Sequence, residues 1–348
     1  MEAKGESQHS SIIVPSVQEM VKEKLTTTVP PRYVRSDLDK GEIDGDLRTE
    51  IPIIDMNLLC SSTSMDAEIH KLDLACKEWG FFQASFLNKF KSEIQDFFNL
   101  PMEEKKKLWQ QPSEIEGFGH AFVVSEEQKL DWSDLFLLVM QPVQERKPHL
   151  FPKLPLPFRD TLDTYSAEVK SIAKILVAKM ASALMIKPEE MEKMFDDGLR
   201  QTMRMNYYPP YPDPDQVIGL IPHSDPTGLT ILLQVNEVDG LQIKKNGKWV
   251  PVKPLPNAFV VNIGDVLEII TNGAYRSLEH RGVVSSEKER LSVAAFHNLG
   301  MGKEVGPLRS LVERQKAAFF KSVTIEEYRK DLFSRKLDGK SHLDVMRI

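Results

Sequence analysis

Apolar and polar positions follow two different rhythms along this chain, and the change falls near Gln201. Before it, apolar residues recur every three or four positions. Ile69, Leu72, Cys76 and Trp79 do so between Asp66 and Trp79, with Gly80 closing the segment, which predicts a helix with a C-terminal glycine stop. A second helix is predicted over Ser92–Phe98, followed by Pro101 and the charged run Met102–Lys107, read as a solvated face. The longest helical stripe lies between Arg159 and Ile186, where Leu162, Tyr165, Val169, Ile172, Leu176, Met180 and Ala183 share one face until Lys187-Pro188 ends it. Its methionines read as core filler. Upstream, residues 1–48 are polar, with Pro15, Pro30 and Pro31 and one amphipathic stretch, Ser16–Leu25, that predicts a short helix leaning on the main body. The run Ile51-Pro52-Ile53-Ile54-Asp55 reads as the first strand.

After Gln201 the apolar runs become short and β-rich: Met203–Tyr208, Val217–Ile221, Thr230–Gln234, Leu241–Lys244, Ala258–Asn262, His280–Val284 and Arg290–Phe296. Asp239-Gly240 and Asn246-Gly247 have hairpin chemistry, the second joining Leu241–Lys244 to Lys248-Trp249-Val250. Many short strands at near-regular spacing predict a sandwich or jelly roll. Gly264–Gly273 interrupts them as a short helix, with Asp265 as N-cap, Glu268 completing a capping box and Gly273 as stop. The fold expected is mainly β with flanking helices. It divides into an extension (1–48), an N-terminal α/β region of helices and edge strands (49–158), a long supporting helix region (159–198), a jelly roll (199–300) and a C-terminal helical segment (301–348).

The composition is that of a globular protein: 348 residues, 41% hydrophobic and 28% charged, with a formal net charge of -6. An acidic surface argues against general attraction to nucleic acid or anionic membrane. The two cysteines, Cys60 and Cys76, sit in apolar contexts and read as buried reduced thiols, which together with the polar N-terminus and the absence of a long apolar run predicts a cytoplasmic protein. Lys and Glu dominate the predicted exposed helices, so a monomer is expected.

Within the β-rich half, His223 and Asp225 stand two apart and His280 begins a later strand. Two imidazoles and one carboxylate form the facial set that holds a redox-active Fe(II) and leaves positions open for chemistry. Residues two apart on a strand share a face, so His223 and Asp225 can both point into a barrel. Arg290 and Ser292 share a face in the same way, offering a guanidinium fork and a hydroxyl to a carboxylate-bearing co-substrate. Asn206 and Tyr208 bring two more polar tips to one strand face. Taken singly, His-x-Asp also describes a hydrogen-bonded loop pair, and Asn206-Tyr207-Tyr208-Pro209-Pro210 a strand ending in a proline turn.

The pattern over nearly the whole chain resembles the plant 2-oxoglutarate- and Fe(II)-dependent dioxygenases, in the group that includes senescence-related proteins and the O-demethylases of codeine and thebaine. The resemblance runs through Val14-Pro15-Ser16-Val17-Gln18-Glu19, Ile51–Asp55, Ala75-Cys76-Lys77-Glu78-Trp79-Gly80-Phe81-Phe82-Gln83, Glu116-Gly117-Phe118-Gly119, Leu130-Asp131-Trp132, Met203–Pro210 and Arg335–Ser341. It implies a distorted double-stranded β-helix with Fe(II) on His223, Asp225 and His280. The far carboxylate of 2-oxoglutarate would meet Arg290, Ser292 and Tyr208, and Asn206 would sit near its iron-bound end. Phe296 and Phe118 become candidate walls for a small-molecule substrate, with core packing as the alternative for each. The implied reaction takes O2, releases succinate and CO2, and hydroxylates or O-demethylates a plant specialised metabolite, with ascorbate in support.

One stretch departs from the pattern. In the family, Gly80-Phe81-Phe82-Gln83 runs on into a strand bearing Val-Asn-His-Gly, a turn and the next helix. Here Ala84–Phe90 leads directly into Lys91-Ser92-Glu93-Ile94, shorter by about ten residues, roughly a strand and a turn. The shortening predicts an exposed sheet edge and lower stability while leaving the iron and co-substrate residues in place. Two alternatives follow: an ascorbate-dependent oxidase of the ethylene-forming type, and a catalytically impaired protein that binds ligand and metal.

Overall fold

The polypeptide builds most of its strands into two layers, with a further two-stranded sheet of Glu304–Val305 and Val323–Thr324, seen in a computed structural model that describes residues 12–348 apart from 24–27, 45–49, 62–64, 86–89, 112–113, 121–122, 124, 197–198 and 335–340. Strands β1 (Ile53–Ile54), β2 (Phe81–Ser85), β3 (Gly117–Gly119), β4 (Asp134–Gln141) and β5 (Arg200–Tyr208) are followed by β6 (Leu220–His223), β7 (Leu229–Gln234), β8 (Leu241–Lys245) and β9 (Lys248–Val252). Then come β10 (Ala258–Ile263), β11 (His280–Gly282) and β12 (Arg290–Asn298). The large sheet runs β1-β2-β10-β7-β12-β5-β4-β3 and the small one β6-β11-β8-β9. Strands of the N-terminal α/β region therefore extend the sheet formed by the jelly-roll strands.

An apolar cluster of Phe81, Leu241, Ile243, Val250, Val252 and Val260 joins the layers at one end. The other face of the large sheet is covered by helices. The helices are α1 (Val17–Lys22), α2 (Met56–Leu59), α3 (Met65–Leu74), α4 (Lys91–Asn99), α5 (Met102–Lys106), α6 (Leu156–Ala183), α7 (Pro188–Asp196) and α8 (Asp265–Ile270). Of these, α2, α3, α4, α6, α7 and α8 place buried apolar residues in the main core, while Val17 of α1 lies in a separate cluster with Trp132 and Tyr211. The stripe of α6 predicted from spacing is buried in the main core from Leu162 through Tyr165, Val169, Ile172 and Leu176 to Met180, Phe158 joins it at the N-terminal end, and Ala183 is half-buried. Among the described residues no helix is long and apolar enough to cross a membrane.

The helix expected over Asp66–Trp79 ends in a π-turn, Ala75–Trp79, and Gly80 stops it in the left-handed region at φ 58°. A Cβ there would stand 2.1 Å from the Arg276 carbonyl oxygen, so no other residue fits. The chain then enters β2, which lies between β1 and β10, with Ala84 opposite Phe259 and Ser85 opposite Ala258. Of the shortened stretch, Ala84 and Ser85 thus belong to the ladder, Phe86–Lys89 lie outside the described residues, and Phe90 stacks on Tyr165 with ring centroids 4.4 Å apart. Phe97 of α4 stacks on Phe136 and Phe158 at 4.8 and 5.0 Å, seating the helix that follows.

Several local expectations are corrected. Lys105, read as part of a solvated charge run, is fully buried and donates to the Phe98 carbonyl and to Gln18 Oε1, because α1 folds over it. That helix is held by Asp134, whose carboxylate accepts from Ser16 Oγ, Val17 N and Gln18 N at 2.7, 2.9 and 2.8 Å. Cys60 is exposed at the end of α2, whereas Cys76 is buried as expected. The N-cap of α8 is Gly264 and not Asp265. Asp265 turns inward to accept from Ser224 Oγ, and Glu268 accepts from Ser277 N and Arg347, partners distant in sequence that outcompete a local capping box. Asn246-Gly247 does close the β8–β9 hairpin with both residues at positive φ, but Asp239-Gly240 carries the chain from one sheet to the other.

Behind the large sheet, His297 of β12 is buried, with Nε2 3.0 Å from Gln201 Nε2. Burial pushes this imidazole down to about 4 from an ordinary 6.5. A base with a lowered folded pKa keeps its full contribution above 6.5 and loses it as the pH falls towards 4, because the unfolded chain takes up the proton first. Within that window His297 should remove up to about 1.4 kcal/mol of stability per pH unit. Urea melts of wild type and His297→Gln should diverge in pH slope there, and parallel slopes would refute the assignment.

Candidate active site

The antiparallel pairing of β6 and β11 sets His280 directly opposite His223, with ring centroids 4.3 Å apart. Each Nδ1 lies against a backbone carbonyl two residues upstream, Ile221 O at 2.8 Å for His223 and Leu278 O at 3.2 Å for His280. Donation there leaves both Nε2 atoms as lone-pair donors, the arrangement of metal-ligating histidines. Asp225 lies just past the end of β6 and not on it, a correction to the shared-strand expectation. Its Oδ1 nonetheless stands 3.6 Å from the Nε2 of each histidine.

The other carboxylate oxygen, Oδ2, accepts from Thr230 Oγ1 at 2.6 Å and Asn262 Nδ2 at 2.7 Å, which leaves Oδ1 for a metal. One ligand atom from each of the three residues lies within 4.8 Å of the others. Burial raises the Asp225 pKa, but His280, His223 and the Asn262 hydrogen bond outweigh it and hold the carboxyl well below the usual range. His280 is pushed down to about 4 by burial and by His223, partly offset by Asp225. Fe(II) binding requires an ionised carboxylate and an open Nε2 lone pair on each imidazole, which the Asp225 hydrogen bonds and the two Nδ1 contacts favour.

Strands β12 and β5 place the second group. Arg290 faces Tyr208 and Ser292 faces Asn206 across the ladder. Arg290 is 3% exposed, with its guanidinium 5.2 Å from the Tyr208 ring centroid and one terminal nitrogen donating to Gln234 Oε1 at 3.2 Å. Its buried Nε has no hydrogen-bond partner among the described residues. A buried guanidinium with a spare donor is costly without an anion, so the group fits the far carboxylate of a keto acid. Asn206 donates to Ser292 Oγ at 3.4 Å and accepts from Arg204 Nε at 2.7 Å.

Both groups open on one cleft. Its wall also holds Phe296, Leu232, Leu220, Leu241, Ala294, Phe81, Arg204 and Arg281. Phe118 is absent from it: on β3, at the far edge of the sheet, it packs against Phe98 and Trp109. Sequence reasoning missed Thr230, Asn262 and Arg204, since a lone threonine, asparagine or arginine in a strand has no local signature. Asp131, part of a quoted motif without a role, accepts from Ile221 N at 3.3 Å and so ties down the strand that carries His223.

Residues 51–154 match the family described as non-haem dioxygenase in morphine synthesis N-terminal, and residues 199–299 match the 2OG-Fe(II) oxygenase superfamily. Protein SRG1 of Arabidopsis thaliana is 74% identical over 358 aligned residues, covering 100% of both chains. That alignment exceeds the 348 residues of this chain by ten positions. Codeine O-demethylase of Papaver somniferum is 49% identical, covering 97% of each chain. Oxoglutarate-dependent flavonoid 7-O-demethylase 1 of Ocimum basilicum is 53% identical, covering 97% of this chain and 92% of its own. Among solved structures, JOX2 in complex with 2OG, Fe and JA superposes with a TM-score of 0.85 at 32% identity, covering 96% of this chain and 98% of its own. The chain belongs to the 2-oxoglutarate/Fe(II)-dependent dioxygenases, in the plant group of SRG1 and the codeine and thebaine O-demethylases.

Proposed function

We propose that this dioxygenase oxidises a C–H bond of a small, largely apolar plant specialised metabolite, by hydroxylation or O-demethylation, with release of succinate and CO2. The observation that carries the reading is the shared cleft: the three ligand residues and the Arg290 group open on one space whose remaining wall is mostly apolar. Fe(II), held by His223, Asp225 and His280, supplies O2 activation and the oxidation itself. The protein contributes orientation. The Ile221 and Leu278 carbonyls hold the imidazoles in one tautomer, and Thr230 and Asn262 hold the carboxylate. Arg290, Ser292 and Tyr208 take the far carboxylate of 2-oxoglutarate, and Asn206 lies towards its reacting end.

Phe296, Leu232 and Leu220 offer an apolar bed that excludes water and presents a C–H bond. Where the attacked carbon carries an ether oxygen, the hydroxylated product is a hemiacetal that collapses to an alcohol or phenol and formaldehyde. Two relatives named as O-demethylases, of a flavonoid and of codeine, favour that branch. The test is purified protein with Fe(II), 2-oxoglutarate and ascorbate against methoxylated flavonoids and alkaloids, with succinate and formaldehyde both quantified. Demethylation gives them one to one, and hydroxylation gives succinate with an oxygenated product. O2 uptake with ascorbate but without succinate would replace the reading with the ascorbate-oxidase type. Metal and ligand binding without O2 uptake on any compound would replace it with a binding protein.

A further inference from the structure

The ladder between β7 and β12 ends beside the most important cation of the cleft. Its last paired residues are Gln234 and Ser292, and Val235 N still donates to Leu291 O at 3.0 Å. Beyond that the chain leaves for the small sheet, so the backbone groups that flank Arg290 lose their strand partner. The side chain of Asn236 takes its place. Its Oδ1 accepts from Leu291 N at 3.0 Å and its Nδ2 donates to Glu289 O at 2.7 Å. One side-chain amide thus spans Arg290 on both sides, imitating the missing rung.

Two further contacts close the frame. The Glu289 carboxylate accepts from the Tyr207 hydroxyl and from Gln95 Nε2 of α4, the latter at 2.8 Å. On the side-chain side, Gly240 lies so near that a Cβ would stand 2.5 Å from Arg290 Cδ. Arg290 therefore has little freedom to swing: β5 holds one edge of its backbone, and on the β7 edge its direction depends on a rung supplied by a side chain.

We propose that Asn236 is a positioning residue for 2-oxoglutarate, fixing the backbone of Arg290 so that the guanidinium meets the far carboxylate. The inference rests on Arg290 being the co-substrate's carboxylate partner. The test compares two keto acids with the same iron-binding end: 2-oxoglutarate, and 2-oxobutyrate, which has no far carboxylate. Each is titrated anaerobically into Fe(II)-loaded protein by intrinsic fluorescence and by thermal shift, in wild type, Asn236→Ala, Asn236→Asp and Arg290→Met.

Asn236→Ala removes two hydrogen bonds to the backbone beside Arg290 and should weaken 2-oxoglutarate about tenfold while leaving 2-oxobutyrate unchanged. Asn236→Asp keeps the acceptor for Leu291 N, loses the donor to Glu289 O and should shift binding in the same direction. It decides the matter if the alanine variant does not fold. Unchanged 2-oxoglutarate affinity, or equal weakening of both acids, would overturn the proposal. An Arg290→Met variant that binds 2-oxoglutarate normally would instead refute the reading of Arg290, and the two failures are separable.

Discussion

Asp225→Ala is expected to abolish Fe(II) retention and, with it, turnover. The carboxylate is the one anion in the ligand set, and its Oδ1 sits 3.6 Å from each histidine Nε2. Removing an outer partner of a metal ligand costs about 10–100-fold in metal affinity or activity, so losing a ligand should exceed about 100-fold. Thr230→Val and Asn262→Ala remove the outer partners themselves and should fall within that range. Thermal shift separates the cases without an assay for product. Wild type at a metal concentration near 100 times its Kd should gain about 2.7 kcal/mol of stability. At the same metal concentration Asp225→Ala should gain less than about 0.4 kcal/mol, and Thr230→Val between about 0.4 and 1.4 kcal/mol. An Asp225→Ala protein with a wild-type metal shift would remove the triad from consideration.

The parts of this site that were legible in the sequence are those where chemistry is local. Two residues apart on a strand is a pattern, and Arg290 with Ser292 and Asn206 with Tyr208 do face one another across β12 and β5. Register is not local. That His280 pairs with His223, or that Asn262 reaches Asp225 from 37 positions away, depends on which strands meet and where they align.

The same limit explains the errors. Asp265 and Glu268 satisfy the capping-box spacing, yet their carboxylates find Ser224, Ser277 and Arg347 instead. Lys105 belongs to a charge run by sequence and to the core by position, because the N-terminal helix covers it. Asp225 has the spacing of a strand neighbour of His223, yet the strand ends at His223 and Asp225 reaches the metal site from the segment beyond it. Elements follow from periodicity, whereas side-chain partners follow from tertiary approach, which periodicity does not encode.

Arg290→Met should separate function from stability. Truncating one partner of a buried, hydrogen-bonded charge pair costs 2–5 kcal/mol or more, so 2-oxoglutarate should bind at least about 30-fold more weakly. The weakening should be read as a rise in KM for 2-oxoglutarate with a smaller change in kcat at saturation, since the lost contact is made equally before and during the reaction. Without ligand the balance reverses. The guanidinium is 3% exposed, its Nε has no partner among the described residues, and burial lowers its pKa. An apolar side chain of similar length removes a buried charge whose hydrogen-bond partners, Gln234 and Tyr208, are neutral, so metal-free Arg290→Met should melt at the wild-type temperature or above it. Arg290→Lys should not restore affinity, because an ammonium lacks the planar fork that meets a carboxylate with two bonds. Anaerobic titration and melting of the metal-free proteins check both halves. A variant that loses stability as much as affinity would make Arg290 a structural residue and leave the co-substrate without its partner in this cleft.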